Sequence, residues 1–204
     1  MSRRLLSGPA PRVAPRLLGA MLVSDVGGER VAVRVTEVEA YAGVGEDPGS
    51  HAFRGRSPRN ATMFGVPGLA YIYFTYGMHW CTNVVTGPEG QASAVLLRAG
   101  EVVEGIDVAR QRRPSARSDR DLARGPARLS VTLGLTGDHD GSDLLAPDSP
   151  VRLRVPRRPL AVHAVTARTG VSGDGAMTPW RFTADDLTVS PYRAAAPRRG
   201  RSSP

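Results

Sequence analysis

The stretch RVAVRVTEVEAYA, residues 30–42, predicts the strand on which the fold is built. Alternate positions of a strand point to the same face of a sheet. Counted without interruption, this alternation puts three valines, two carboxylates and a phenol on one face: Val31, Val33, Val35, Glu37, Glu39 and Tyr41. One explanation for carboxylates on the same face as the valines is a shift of register within the strand. The alternative is a strand that runs out of a core and into a cleft where a carboxylate is used.

Further elements follow on both sides of this strand. The segment 20–35 reads as a hairpin, and glycine at the bend of Tyr76-Gly77-Met78 indicates a second hairpin over 71–83. The other predicted elements are a long Gly/Pro/Arg-rich loop at 42–60, a strand at 93–99, a helix at 101–113, a helix from about Pro126, and strands at 151–155 and 161–171.

Composition limits the domain organisation and the class of protein. The chain has 204 residues and is 41% hydrophobic, which suits one domain with a core. We expect a flexible basic segment at 1–15, the folded domain at 16–193 and a flexible basic tail at 194–204.

The charge is unusual because the chain contains no lysine. It carries 27 basic residues, all arginine, against 19 acidic residues, for a net charge of +8. Arginine binds phosphate through a planar fork, so a polyanionic partner is one interpretation and solubility is the other.

Other features of the sequence limit the possible cofactors and the possible cellular compartment. Cys81 is the single cysteine and the four histidines are scattered, so we expect no disulfide, no metal site and no cofactor. No apolar run reaches membrane-spanning length, and prolines interrupt the basic start before a signal-like stretch develops. We therefore expect a cytoplasmic protein with no membrane partner.

Glu39 is the first candidate catalytic residue. A carboxylate at the inner end of a strand is desolvated but reachable, so it could deprotonate a water molecule. Glu37 is its neighbour on the same predicted face. The alternative is a salt bridge from Glu39 to an arginine of the following loop: Arg54, Arg56 or Arg59.

The second hairpin carries the other candidates. Tyr71 and Tyr73 share a face, and Tyr76 lies at the bend, where it could wedge between DNA bases or fold back on its own hairpin. Asn83 could bond a base edge or the backbone. Arg98, at the end of an apolar strand, could pair with Glu39 or with Glu101.

Three segments together resemble a known family. They are VTEVEAY, SPRNATMFGVPGLAYIYFTYGMHWCTNV and SAVLLRAGEVVEG, and LARGPARLSVTLGL continues the match. The chain is similar, from about Leu17 to about Phe182, to the alkyladenine (methylpurine, 3-methyladenine) DNA glycosylases, the mammalian type that also occurs in bacteria.

The resemblance implies a fold and an activity. The fold would be α+β, a single compact domain with a mixed, mostly antiparallel curved sheet, flanking helices and a protruding β-hairpin. The activity would be base-excision repair by a monofunctional enzyme that flips alkylated purines out of duplex DNA and hydrolyses the N-glycosidic bond. Such an enzyme would be a monomer, associated with the nucleoid if bacterial.

The resemblance also implies roles for single residues. Glu39 would be the general base and Arg98 would help to hold the attacking water. The extruded base would be sandwiched by Tyr41, His51 and Tyr73. Tyr76 would intercalate into the DNA, and Asn83 would disfavour the exocyclic amine of guanine.

Two alternatives remain from other classes of protein. One is a non-catalytic basic module that binds nucleic acid. The other is a small-glycoside hydrolase that uses Glu37 and Glu39, although neighbouring positions of one face hold carboxylates side by side rather than across a scissile bond.

Overall fold

The structure, a computed structural model, describes residues 3–75 and 77–194. Short 3-10 turns join its regular elements. The elements are, in chain order, α1 Ala10–Val13, β1 Met21–Ser24, β2 Val31–Tyr41, β3 Ala70–Thr75, β4 His79–Val85, β5 Ala94–Glu104, α2 Ile106–Arg112, α3 Pro126–Thr132, β6 Val151–Arg154, β7 Ala164–Thr166 and β8 Arg181–Thr183.

The described strands form one curled sheet in which neighbouring strands are antiparallel. The order is β3-β4-β5-β2-β1-β6, with β8 between β2 and β7. One edge of β2 pairs with β5 along most of its length. The other edge pairs first with β1 and then with β8, so β2 is the central strand of the fold.

A β-bulge in β2 corrects the predicted alternation. The core face of β2 is made by Val31, Val33, Val35, Val38 and Ala40. The register with β5 shifts around Thr36, so the core positions change from odd to even numbers, and Glu37 and Glu39 belong to the opposite face. Gly100 permits the irregularity, since a Cβ there would lie 2.5 Å from the Arg34 carbonyl oxygen.

The two predicted hairpins are present. β1 pairs with β2, and β3 pairs with β4 through a bend in which Gly77 has a φ of +66°. The end of the second hairpin protrudes, with Phe74 43% and Met78 66% exposed.

Two predicted boundaries were wrong. The helix expected at 101–113 begins only at Ile106, because β5 continues to Glu104, which pairs with Ala32 of β2. The strand expected at 161–171 shrinks to the three residues of β7. The helix expected from about Pro126 is α3, whose Leu129 is fully buried in the core.

The amino-terminal segment belongs to the packed fold. Residues 3–15, expected to be flexible, include α1, and Leu6, Ala10 and Val13 are at most 2% exposed in the main core. The arginines around these positions give the segment a basic composition, which obscures the three apolar residues that pack in the core. Residues 195–204 of the expected tail lie outside the described residues.

The fold class agrees with the prediction: a single compact α+β domain with a curled antiparallel sheet and a few helices. Among the described helices none is both long and apolar enough to cross a membrane. The site discussed next lies on β2 and β5, on the face of β2 that the bulge turns away from the main core.

Candidate active site

Two carboxylates of β2 share one arginine of β5. Glu37 and Glu39 are both 0% exposed, and Arg98 is 6% exposed. Arg98 donates from Nε to Glu37 Oε1 at 2.7 Å and from Nη1 to Glu39 Oε2 at 3.1 Å. Arg98 thus pairs with both carboxylates of β2 and not with Glu101, which pairs with Arg34.

Structural partners bond both oxygens of Glu37. Its Oε1 also accepts a hydrogen bond from Arg181 Nε at 2.7 Å, and its Oε2 accepts one from the Ser190 backbone N–H at 2.7 Å. Burial alone would raise the pKa of Glu37, but Arg98 and Arg181 outweigh it and hold the pKa below the ordinary value. Glu37 is therefore an ionised anchor that joins β2, β5 and β8.

Glu39 is bonded differently. Its Oε2 accepts from Arg98 and from the Tyr41 hydroxyl, the latter at 2.8 Å, whereas its Oε1 accepts from the Thr169 backbone N–H at 2.6 Å. A carboxylate has about four acceptor positions, two on each oxygen. The described residues thus leave one acceptor position of Oε1 open.

A cavity of about 450 Å³ lies directly in front of Glu39. Its wall includes Tyr41, Arg98 and Thr169, the three residues that bond the Glu39 carboxylate. This volume is within the range of about 300–1,000 Å³ that is usual for small-molecule sites. Three of the residues that line the cavity therefore bond the buried carboxylate directly.

Aromatic side chains surround much of the cavity. His51 Nδ1 lies 3.1 Å from the Tyr71 hydroxyl oxygen, and the His51 and Tyr73 rings meet edge to face at 4.5 Å. Partial burial, with Arg59 nearby, lowers the pKa of His51, so its ring is neutral at pH 7. Burial, reinforced by Cys81, raises the pKa of Tyr73, so these two rings of the wall carry no charge at pH 7.

The floor of the cavity comes from β4. Asn83 pairs with Tyr71 in the hairpin register and donates from Nδ2 to the Tyr71 carbonyl oxygen at 2.9 Å. Cys81 pairs with Tyr73, and burial raises the pKa of the Cys81 thiol to about 11. The thiol is therefore protonated and weakly nucleophilic at neutral pH.

A buried ion pair supports Tyr41 from behind. Arg168, 1% exposed, donates from both terminal nitrogens to the two carboxylate oxygens of Asp47, each at 2.6 Å. Its guanidinium carbon lies 4.6 Å from the centre of the Tyr41 ring and 5.4 Å from that of Trp180. This pair fixes the loop after β2 to the segment after β7, and both segments line the cavity.

Most of the sequence-predicted site residues meet at this cavity. It is lined by Tyr41, His51, Tyr73, Asn83 and Arg98, and Glu39 lies behind its wall. The predicted salt bridge from Glu39 to a loop arginine does not form, because Arg98 takes that place. Tyr76 lies outside the described residues.

Sequence reasoning missed five residues that hold the site together. They are Asp47, Arg168, Thr169, Arg181 and Ser190. Thr169 and Ser190 contribute backbone N–H groups, which leave no signal in the sequence. The sequence signal that could have indicated them is weak: Arg168 lies in the apolar segment 161–171, and Arg181 lies between Trp180 and Phe182.

Comparison with known proteins supports one family. The model of the methylpurine-DNA glycosylase family matches residues 4–188. A relative from Streptomyces avermitilis is 53% identical over 205 residues, covering 99% of this chain and 96% of its own. Relatives from Leifsonia xyli (55% identical, 89% and 87% covered) and Frankia casuarinae (48%, 95% and 92%) are similar. Each bears the name "Putative 3-methyladenine DNA glycosylase".

The fold and the site are thus those of a compact α+β protein with an aromatic cavity beside a buried carboxylate. The chain belongs to the methylpurine-DNA glycosylase family. That membership supports a role as a DNA glycosylase in DNA repair. The three relatives are bacterial and do not support the narrower mammalian-type assignment.

Proposed function

We propose that this protein flips alkylated purines such as 3-methyladenine out of duplex DNA and hydrolyses their N-glycosidic bond with a water activated by Glu39. The observation that carries the proposal is that Glu39 is bonded directly to Arg98, a residue that lines the aromatic cavity. The names of the relatives point to the same substrate class.

Glu39 has the properties of the base in this reaction. The Glu39 carboxylate is bonded by Arg98 and by the Tyr41 hydroxyl, and as the base it would accept the proton of the water. The open acceptor position of Oε1 adjoins Thr169, which lines the cavity, and this is where the water would bind. In the reaction the water oxygen bonds to C1′ of the sugar, the bond from C1′ to the purine nitrogen breaks with its electron pair on the base, and Glu39 takes the proton.

The cavity wall suits a cationic base. A purine alkylated at N3 or N7 carries a positive charge, which makes it a good leaving group and attracts it to electron-rich rings. The neutral His51 and the protonated tyrosines Tyr41 and Tyr73 add no opposing positive charge. Stacking of about 1–3 kcal/mol per base would offset much of the cost of flipping.

Two further roles complete the proposal. Asn83 lies at the cavity floor with its amide nitrogen bonded to Tyr71, and it would oppose the exocyclic amine of guanine. Tyr76 would fill the gap that the flipped base leaves in the duplex, a role that is supported by the sequence resemblance alone. Because no lysine is present, no ε-amine could form a Schiff base, which supports a monofunctional hydrolase.

The test is the release of free base from DNA that carries 3-methyladenine. We expect the wild type to release the base and Glu39→Gln to release at least about 100-fold less, a typical contribution of general-base catalysis. Both proteins should bind a duplex with an abasic-site analogue equally well, because the cavity wall is unchanged.

Glu101→Gln is the matched control, since it removes a partly exposed carboxylate from the neighbouring strand without touching the cavity. Full excision by Glu39→Gln would refute the mechanism. DNA binding by the wild type without any release of base would instead support the non-catalytic module. The glycosidase alternative loses support because Arg98 bridges the two carboxylates on one side, and Glu37 is occupied by Arg181 and Ser190.

A further inference from the structure

An apolar groove lies between the amino-terminal segment and the residues that follow β6. Its volume is about 420 Å³, and it is formed by side chains from residues 5–17 and 155–159. Seven of its nine described lining residues are apolar, among them Leu5, Leu6, Val155 and Pro159, and the other two are arginines. We call it the Leu5 groove.

The Leu5 groove lies on the opposite side of β2 from the candidate active site. Its buried residues Leu6, Val13 and Leu17 belong to the main core, together with the valine face of β2. Glu39 belongs to the other face of β2, next to the aromatic cavity. None of the described residues lines both the groove and the cavity. A ligand in the groove would therefore leave the cavity free.

Positive charge surrounds the Leu5 groove and is not balanced. Arg16 and Arg157 line it, and both are exposed. Arg12, Arg154 and Arg158 are also exposed, and each is next to a lining residue in the chain. Within the part of the chain that the structure describes, these five arginines form no ion pair, and no acidic residue lines the groove. The rim of the groove is therefore a free cationic surface.

The apolar floor of the Leu5 groove is only partly covered. Leu5 is 44% exposed, although its neighbour Leu6 is 1% exposed in the main core. A single exposed leucine on a convex surface needs no explanation, but Leu5 lines a concave site whose other walls are also apolar. Covering apolar area contributes about 25 cal/mol per Å², so an apolar side chain in this groove would be stabilised.

Floor and rim together define the chemistry of the occupant. The floor accepts an apolar side chain and the arginine rim accepts carboxylates, a combination that an acidic peptide with an apolar anchor supplies. Residues 195–204 of this chain carry three arginines and no acid, and a second copy has a net charge of +8, so neither complements the rim. The described lining has no aromatic ring on which a nucleobase could stack. A membrane takes apolar side chains that protrude, whereas this floor is recessed.

We propose that the Leu5 groove binds an acidic segment of a partner protein, with an apolar side chain of that segment on the floor and its carboxylates on Arg16 and Arg157. The ion pairs would be exposed and screened by salt, so they would orient the segment while the apolar contact supplies most of the affinity. This inference goes beyond the proposed function and does not depend on it, because the groove and the cavity are built from different residues.

The test begins with a selection from a random library of twelve-residue peptides on the immobilised full-length protein, saturated with a duplex that carries an abasic-site analogue. We expect the enriched peptides to combine a run of Asp or Glu with a neighbouring Leu, Ile, Phe or Trp. The most enriched peptide is then synthesised with a fluorescein label, and its Kd for the wild type and for three variants is measured by fluorescence anisotropy.

The variants separate the rim, the floor and net charge. Arg16→Glu/Arg157→Glu turns two attractions into repulsions and should weaken binding of the peptide at least about 10-fold. Leu5→Ser removes the exposed part of the floor and should weaken it about 3–5-fold. Arg117→Glu/Arg128→Glu is the matched control: it makes the same change of net charge at exposed positions outside the groove, and the Kd should change less than about 2-fold. Base excision by the rim variant should match the wild type.

Three results would overturn the proposal. The first is enrichment of peptides that lack the acidic and apolar combination, or equal losses of affinity in the rim variant and the control. The second is displacement of the peptide by the duplex, which would make the groove a DNA surface. The third is sedimentation of the wild type, but not of the rim variant, with vesicles of phosphatidylcholine and phosphatidylglycerol when no peptide is enriched, which would make the groove a membrane surface.

Discussion

Neutralising Asp47 is expected to destabilise the protein strongly. Asp47→Asn leaves the guanidinium of Arg168, 1% exposed, without its counterion, although hydrogen bonds to the carbonyl oxygens of Ala40 and Gly175 remain. Removing one partner of a buried pair costs about 3–5 kcal/mol. For a chain of this size each kcal/mol corresponds to about 2–4 °C, so the melting temperature should fall by about 6–20 °C.

The assay is urea unfolding followed by tryptophan fluorescence, since Trp180 lies against Arg168. The double variant Asp47→Asn/Arg168→Met should be more stable than the sum of the two single changes predicts, by at least about 2 kcal/mol, because no uncompensated charge stays buried. Asp119→Asn is the control: it breaks an exposed pair with Arg110 and should leave the free energy of unfolding almost unchanged.

The reasoning would be refuted by a loss below about 1 kcal/mol in Asp47→Asn, which is the range of an exposed pair. Simple addition of the two single effects in the double variant would also refute it. Either result would mean that water reaches the pair, in contradiction to its burial.

Two further predictions concern β2. Because the pKa of Glu37 is lowered in the fold, its ionisation stabilises the protein above the ordinary value of 4.5 and this contribution is lost as the pH falls below that value. The difference in unfolding free energy between wild type and Glu37→Gln should therefore be large at pH 7 and shrink toward pH 3; a constant difference would contradict the assignment. Tyr41→Phe removes a hydroxyl donor from Glu39 Oε2 but keeps the ring, so the excision rate should fall while binding to the abasic-site analogue is unchanged. An unaltered excision rate would show that this hydrogen bond does not contribute to the reaction.

Much of the fold was predictable because it follows from local pattern. The valines of β2 and the bends of both hairpins indicated the strands, and the structure confirms them. The bulge at Thr36 was not predictable, because an inserted residue leaves the composition of a strand unchanged and only shifts which positions face the core. The consequence was that Glu37 and Glu39 were assigned to the core face.

The residues of the candidate site likewise divide into those that the sequence indicated and those that it could not. Side chains on one stretch of chain, such as Tyr41 and Tyr73, could be named from sequence. The groups that bond the carboxylates from a distance could not, because Arg181 and the Ser190 N–H reach Glu37 across 144 and 153 residues of chain. Residues 101–104 were predicted to be helical, but they extend β5 and pair with β2, so strand pairing outweighs their helix propensity.

The long reach of these bonds has a consequence for biosynthesis. Translation makes the two carboxylates long before three of the groups that bind them, the Thr169 and Ser190 N–H groups and the Arg181 guanidinium. Contacts so far apart in sequence close slowly, since the intervening loop must lose its entropy first. A nascent chain that has not yet been extended past residue 190 would therefore display its acid pair with up to half of its ligands missing, and the site would be complete only after that segment had been made and had folded back.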